Sequence, residues 1–285
     1  MGAGNKPLRL VFTDLDGSLL DHYSYRFDAA LPQLQRLREQ GIPLIPVSSK
    51  TRSEIEQLRT ELDHREPFIA ENGAAVFIPQ GYFPAQPAAT EARDGYWVRR
   101  ACQGRQHWQA LLAQLGDEFA GSFESFAQAG QAGVMRMTGL DEAAAARANE
   151  REYSEPLQWR GSESDKRRFI ARLEALGARV LQGGRFLAVS GECDKGEALA
   201  WLRGSYARAH PGRTIRDLAI GDSGNDRAML EVAQTALLVR SPVHDFPPLA
   251  RSSGVIHSTA CGPSGWAEGV AHWLETPPQQ QQEFA

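Results

Sequence analysis

The chain is short of cysteine, of long apolar runs and of surplus charge of either sign, and each shortage closes off a class of function. Its 285 residues include three cysteines, Cys102, Cys193 and Cys261. They are odd in number and widely spread, so neither a disulfide framework nor a C-x-x-C metal site is indicated. No apolar stretch approaches the roughly 20 residues needed to cross a bilayer. The opening Met1-Gly2-Ala3-Gly4-Asn5-Lys6 is followed by only a short apolar run, unlike a signal peptide, and Lys6 stands where N-myristoylation requires Ser or Thr. Acidic residues number 35 and basic residues 31, a net charge of −4 with histidine neutral. A nucleic-acid-binding protein normally shows a basic surplus or stripe. The expectation is a soluble cytoplasmic protein with no nucleic-acid or membrane partner, long enough for one large domain or two smaller ones.

Chemistry concentrates where apolar runs end. Leu8-Arg9-Leu10-Val11-Phe12-Thr13 runs into Asp14-Leu15-Asp16-Gly17-Ser18. Two carboxylates one residue apart at the end of a buried strand are costly without a cation, and hard oxygen ligands suit Mg²⁺. Asp can also attack phosphorus and form an aspartyl-phosphate. Alone, D-x-D-G is equally a surface turn, since Asp and Gly are ordinary turn residues. Leu44–Val47 leads into Ser48-Ser49-Lys50-Thr51. There Ser48 can donate to a phosphoryl oxygen and Lys50 can neutralise an anion, while Ser49, Thr51 or Ser53 caps the next helix. Asp194-Lys195-Gly196 opens another helix, and Ala219-Ile220-Gly221 runs into Asp222-Ser223-Gly224-Asn225-Asp226. Each piece is unremarkable by itself; four strand or helix ends with complementary chemistry, in this order, are not.

The order D-x-D-G, S-S-K, D-K-G and G-D-x-x-N-D resembles the haloacid dehalogenase (HAD) superfamily of aspartyl-phosphate phosphotransferases, over nearly the whole chain. Finer features resemble its mannosyl-3-phosphoglycerate phosphatase family, a large-cap group. They are Phe12–Gly17 with Leu19-Leu20-Asp21, Ser48–Thr51 with Glu54, Pro67–Ala75 around Glu71-Asn72-Gly73, Arg151-Glu152-Tyr153-Ser154-Glu155-Pro156, and Gly262–Trp266. Relatives often carry Thr at position 18 and Pro at position 224; Ser18 keeps the hydroxyl, and Gly224 removes no ligand. The resemblance implies that Asp14 is the nucleophile and Asp16 the general acid, then base. It implies that Ser48 and Lys195 hold the phosphoryl oxygens. Asp222 completes a Mg²⁺ site with Asp14 and the backbone carbonyl of Asp16, and Asn225 and Asp226 orient the surroundings.

The implied fold is α/β: a HAD-like core with a parallel sheet, residues 1–80 and 192–285, and an inserted α+β cap, residues 81–191. In the core, strand and helix alternate from Leu8 to Ala70, and ligands of such sheets bind outside the carboxyl ends of the strands. Pro79–Ala92 reads as a hinge or loose edge. In the cap, Tyr96–Arg100, Gly133–Met137 and Leu157–Trp159 read as strands. His107–Phe119, Ala143–Arg151 and Lys166–Leu176 read as helices, and a hairpin turns at Gly183-Gly184. Pro277–Gln282 reads as a frayed tail. Substrate choice is expected from Lys50, Glu71, Asn72, Arg151, Glu152 and Glu155, although Glu150–Glu152 equally resembles an exposed helix end. The expected reaction is hydrolysis of a phosphorylated sugar-glycerate, mannosyl-3-phosphoglycerate or its glucosyl analogue. Alternatives are another large-cap HAD enzyme, such as a sucrose-phosphate phosphatase or phosphomannomutase, and a non-catalytic phosphosugar-binding regulator. A regulator would be expected to have lost Asp14 or Asp16.

Overall fold

The computed structural model describes residues 6–182 and 185–276. In chain order, β1 (Leu8–Thr13) is followed by α1 (Leu31–Glu39), β2 (Leu44–Pro46), α2 (Arg52–Glu61), β3 (Phe68–Ala70) and β4 (Ala75–Pro79). Next come β5 (Glu91–Arg93), β6 (Tyr96–Arg100), α3 (Arg105–Gln114), β7 (Phe123–Ser125), α4 (Phe126–Thr138) and α5 (Glu142–Asn149). Then follow β8 (Glu155–Trp159), α6 (Glu163–Ala175), β9 (Arg179–Gln182), β10 (Leu187–Ser190) and α7 (Lys195–Ala209). The chain closes with β11 (Ile215–Gly221), α8 (Arg227–Val232), β12 (Thr235–Arg240), β13 (Val255–Cys261) and α9 (Gly262–Glu275).

Three sheets result. A parallel sheet has the order β13-β12-β11-β1-β2, and two antiparallel sheets have the orders β3-β4-β6-β5 and β7-β8-β10-β9. The parallel sheet is covered on both faces, which is why its strands read as unbroken apolar runs. Along β1 the faces alternate: Val11 packs with Trp266, Val270 and Trp273 of α9, whereas Leu10 and Phe12 pack with Leu199 and Leu202 of α7. Ridged between two helical layers, β1 cannot slip by one residue without turning its whole apolar set over. That registry fixes where Asp14 emerges.

Several expected elements differ from those observed. Gly133–Met137 is not a strand but the second half of α4. A reciprocal Ser125/Gln128 capping box starts α4, its backbone breaks at Gly130 (φ 62°, ψ −175°), and left-handed Gly139 stops the half that follows. Val134 and Met137, three apart, share its buried face. The Pro79–Ala92 stretch is anchored rather than loose at Phe83, whose ring meets Tyr206 of α7 edge-on at 5.0 Å. The sheet formed by β3 to β6 runs across residue 80, where the core was expected to end, and Trp97 of β6 packs with the α7 side of the core. β9 and β10 pair antiparallel as expected, while the Gly183-Gly184 turn and the Pro277–Gln282 tail lie outside the described residues.

Candidate active site

Asp14 emerges from β1 beside the first residue of α7 and the loop after β11. Lys195 Nζ donates to Asp14 Oδ1 and to Asp226 Oδ1, both at 2.6 Å, with the lysine fully buried. Asp14, Asp222 and Asp226 bring one carboxylate oxygen each to within 4.8 Å of one another, and all three are buried. Burial and the nearby Asp226 raise Asp14 well above the usual carboxylate range, against the opposing pull of Lys195. The same causes raise Asp222 to about 7. Burial alone would lower Lys195, but Asp14 and Asp226 outweigh it, and the ammonium is held above its ordinary value. Three acids against one base leave a negative surplus that the protein does not neutralise.

The arrangement fits a hard divalent cation. Asp226 is already committed: Oδ1 to Lys195, Oδ2 to the backbone N–H groups of Asp222 and Ser223 at 3.1 Å each. Its oxygens shape the loop, whereas Asp14 and Asp222 supply the charge left over for a metal. Gly17, at φ +82°, keeps this space open, since a Cβ there would meet Asp222 Oδ2 at 2.4 Å. In the same loop Ser18 Oγ is buried and has no hydrogen-bond partner among the described residues. Behind the nucleophile, Trp266 Nε1 donates to Thr13 Oγ1 at 2.9 Å, and Thr13 Oγ1 donates to the Asp14 carbonyl at 2.7 Å. This tether ties α9 to the end of β1.

The other sequence candidates fall into two groups. Ser48 is buried, and its carbonyl accepts from the Asn72 N–H at 2.9 Å. Asn72 Oδ1 accepts from Asn225 Nδ2 at 3.3 Å, joining the second and fourth motifs. Glu71, Asn72 and Gly73 all have positive φ. A Cβ at Gly73 would stand 2.2 Å from the Asp194 carbonyl oxygen, so this tight corner abuts the start of α7 and cannot tolerate a side chain. Asp16 is half-exposed, with Lys50 Nζ 2.9 Å from its Oδ1 and Glu54 3.9 Å from the same ammonium. Lys50 thus stands against the candidate acid.

The glutamates expected to read substrate have structural partners instead. Glu155 is fully buried, and its carboxylate accepts from Arg105 Nε at 2.5 Å, from Gln109 Nε2 at 3.0 Å and from the Ala127 N–H at 2.9 Å. Glu71 is buried and accepts from the Glu152 N–H at 2.8 Å and from Ser154 Oγ at 2.5 Å. Glu152 pairs with Arg93 and Arg52. Arg151 Nη1 donates to the Ser49 carbonyl at 3.1 Å and to Ser154 Oγ at 3.0 Å, bridging the 150s loop to the S-S-K-T segment. The R-E-Y-S-E-P run therefore joins the 150s loop to the Ser49 and Glu71 segments.

Three residues near the site have no local motif to announce them. His244 Nε2 lies 3.6 Å from Asp222 Oδ2. Arg179 of β9 and Arg227 of α8 face a cavity of about 250 Å³ that Asn72, Lys195 and Asn225 also line. Arg227 is held loosely, 3.9 Å from Glu231. Isolated arginines in the sequence carry no hint that two elements separated by nearly fifty positions converge on one hollow.

Comparison with known proteins agrees with this geometry. Residues 11–87 match the haloacid dehalogenase-like hydrolase family. The chain is 33% identical over 261 residues to the glucosyl-3-phosphoglycerate/mannosyl-3-phosphoglycerate phosphatase of Methanococcoides burtonii, covering 92% of this chain and 95% of the relative. It is 31% identical over 262 residues to the protein of the same description from Persephonella marina, with the same coverage of 92% and 95%. Among solved structures, the sucrose-phosphatase of Synechocystis, in complex with sucrose and phosphate, superposes with a TM-score of 0.58 at 16% identity. That superposition covers 94% of this chain and 98% of the other, a likeness of fold.

Proposed function

Because the chain belongs to the glucosyl-3-phosphoglycerate/mannosyl-3-phosphoglycerate phosphatase family of haloacid dehalogenase-like hydrolases, we propose that it hydrolyses mannosyl- or glucosyl-3-phosphoglycerate to the glycosylglycerate and phosphate. The carrying observation is the buried Asp14–Lys195–Asp226–Asp222 cluster, in a chain related to such phosphatases over 92% of its length.

In this reading Asp14 is the nucleophile. Lys195 engages one of its oxygens at 2.6 Å and the other attacks phosphorus in line, forming an aspartyl-phosphate as the P–O bond to the glycerate breaks. Asp16 gives its proton to the departing alkoxide. As a carboxylate it then takes a proton from the water that attacks the acyl phosphate and returns Asp14. Lys50 sits 2.9 Å from Asp16, and an arriving phosphate dianion competes for that ammonium, which frees Asp16 for the proton. Ser48 and Lys195 hold the phosphoryl oxygens, while Asp226, Asn225 and Asn72 keep the two loops in register. Asp14, Asp222 and the carbonyl of Asp16 would hold Mg²⁺, which neutralises charge on the transferring group.

Residues 102–191 act as the cap in this reading. It begins after β6 rather than at residue 81, because β6 pairs with β4, β5 pairs with β6, and Trp97 of β6 packs with the α7 side of the core. The substrate carries a carboxylate besides its phosphate, and Arg151 and Lys50 already have partners. Arg179 from the cap and Arg227 from the core, beside Lys195, are the cations we assign to that carboxylate. The test is phosphate release with Mg²⁺ from both glycosyl-3-phosphoglycerates, sucrose-6-phosphate and mannose-6-phosphate. Preference for the first two is expected; equal turnover of the others would overturn the substrate assignment. Arg179→Gln and Arg227→Gln should then lower kcat/KM about tenfold or more for the glycosylphosphoglycerates and leave mannose-6-phosphate unchanged. Equal losses on every substrate would remove the carboxylate role alone.

A further inference from the structure

The inserted segment is bracketed by two cysteines that meet. Cys102 follows β6, where the chain leaves the β3-to-β6 sheet, and Cys193 lies between β10 and α7, where it returns. Their sulfurs are 3.9 Å apart, with the Cys193 thiol donating to Cys102. The two crossings run side by side at closest approach: a Cβ on Gly191 would stand 2.4 Å from Cys102 Cβ. Cys102 is half-buried and Cys193 buried, whereas Cys261 is exposed and remote in sequence at the end of β13. The hydrogen bond from Cys193 lowers the Cys102 thiol, and the same bond, with burial, raises Cys193. The pair is thus divided into a half-buried residue whose thiol ionises first and a buried partner.

We propose that Cys102 and Cys193 are a reversible oxidation site whose disulfide ties the two crossings together and slows turnover. The oxidant is a low-molecular-weight disulfide. The Cys102 thiolate attacks one of its sulfurs, forming a mixed disulfide and releasing one thiolate. Cys193 then loses its proton and attacks the Cys102 sulfur, and the second small thiol departs. Two protein thiols are oxidised and one small disulfide is reduced to two thiols. Bond formation requires the sulfurs to close from 3.9 Å to about 2 Å. Cys193 cannot move alone in that closure. It is two residues from Lys195, whose ammonium holds Asp14 and Asp226, and its neighbour Asp194 abuts Gly73. The bond also fastens the root of the segment that the proposed function reads as a cap, whose opening would admit substrate in that reading.

The full-length Cys261→Ser protein would be incubated with oxidised glutathione, then digested without reduction for mass spectrometry. Expected is a peptide linking 102 to 193, with loss of two hydrogen atoms from the intact mass. Phosphate release from p-nitrophenyl phosphate should fall about tenfold, and dithiothreitol should restore it. The Cys102→Ser variant, at the half-exposed position, should keep the reduced rate and ignore the oxidant; a matching thermal melt shows that it is folded. Absence of the 102–193 link overturns the site. A link that leaves the rate unchanged, or equal inhibition of folded Cys102→Ser, overturns the control of turnover. The linkage readout needs no assumption about the physiological substrate, so its failure is separate from failure of the substrate assignment.

Discussion

Two buried charge clusters in this molecule use the same residue types and come out differently. In the insert, Glu155 is fully buried and its carboxylate is matched by Arg105, Gln109 and a backbone N–H. At the parallel sheet edge, Asp14, Asp222 and Asp226 share Lys195, and the acids outnumber the base. The first cluster is closed: donors and acceptors balance, and nothing is left to react. In the second, desolvation and mutual repulsion raise Asp14 and Asp222, which is electrostatic stress a cation or a phosphoryl group can relieve. Surplus, rather than burial or pairing, separates a site from a scaffold here.

Asp14→Asn breaks the comparison at its strongest point. Turnover should fall on the order of 10⁴-fold or more, because the nucleophile is gone. The metal-free protein should nevertheless become more stable at neutral pH, since one unneutralised carboxylate has been removed. The sign follows from the raised groups. Asp222 titrates at about 7 in the fold against 3.8 in the unfolded chain, and Asp14 is raised well above 3.8. Between those values the folded state holds protons that the unfolded chain has released. Their contribution is fully present below pH 3.8 and is lost as pH climbs through about 7. Melting curves in chelator should therefore show a stability gain of Asp14→Asn over the parent that widens as pH rises. A variant less stable than the parent at pH 7 would mean that the cluster carries no surplus.

Glu155→Gln probes the balanced cluster. It leaves the Arg105 guanidinium, its side chain only 15% exposed, beside a neutral amide, at a cost of about 3 kcal/mol. Turnover measured below the melting transition should stay near that of the parent. Lost activity in a protein of unchanged stability would return Glu155 to the substrate side, where the sequence alone had put it.

That reassignment shows what is readable along a chain and what is not. Asp14, Lys195 and Asp222 were legible because each sits at the end of its own apolar run or at a helix start, and strand ends of a parallel sheet converge on one edge. Glu155 and Arg105 lie 50 positions apart, and nothing local tells a glutamate whether its partner is a sugar hydroxyl or an arginine. Glu71 has the same difficulty, with its partners more than 80 positions away. Gly133–Met137 failed for a related reason: Val-Met-Arg-Met suits a strand locally, but the segment is a helix that follows a break at Gly130, buries Val134 and Met137 on one face and ends at left-handed Gly139. The Cys102–Cys193 contact spans 91 positions and has no sequence signature beyond two cysteines. Motif chemistry is local; the question of whether a charge is matched is tertiary.

The smallest effect belongs to a third pair, which removes burial and keeps geometry. Arg26 donates from Nε and Nη2 to the two oxygens of Asp28 at 2.8 and 3.1 Å, as good a fork as the one between Arg105 and Glu155. Both side chains are exposed, at 75% and 61%. Water solvates either partner when the other is removed, so no charge is stranded and holding two mobile side chains gains little. Asp28→Asn should leave the melting temperature and turnover within error of the parent, read in the same assay as Glu155→Gln. A loss as large as that of the buried pair would show that bidentate contact itself carries stability. Sorting clusters by whether burial strands a charge would then fail, and with it the reason for reading the Asp14 surplus as function.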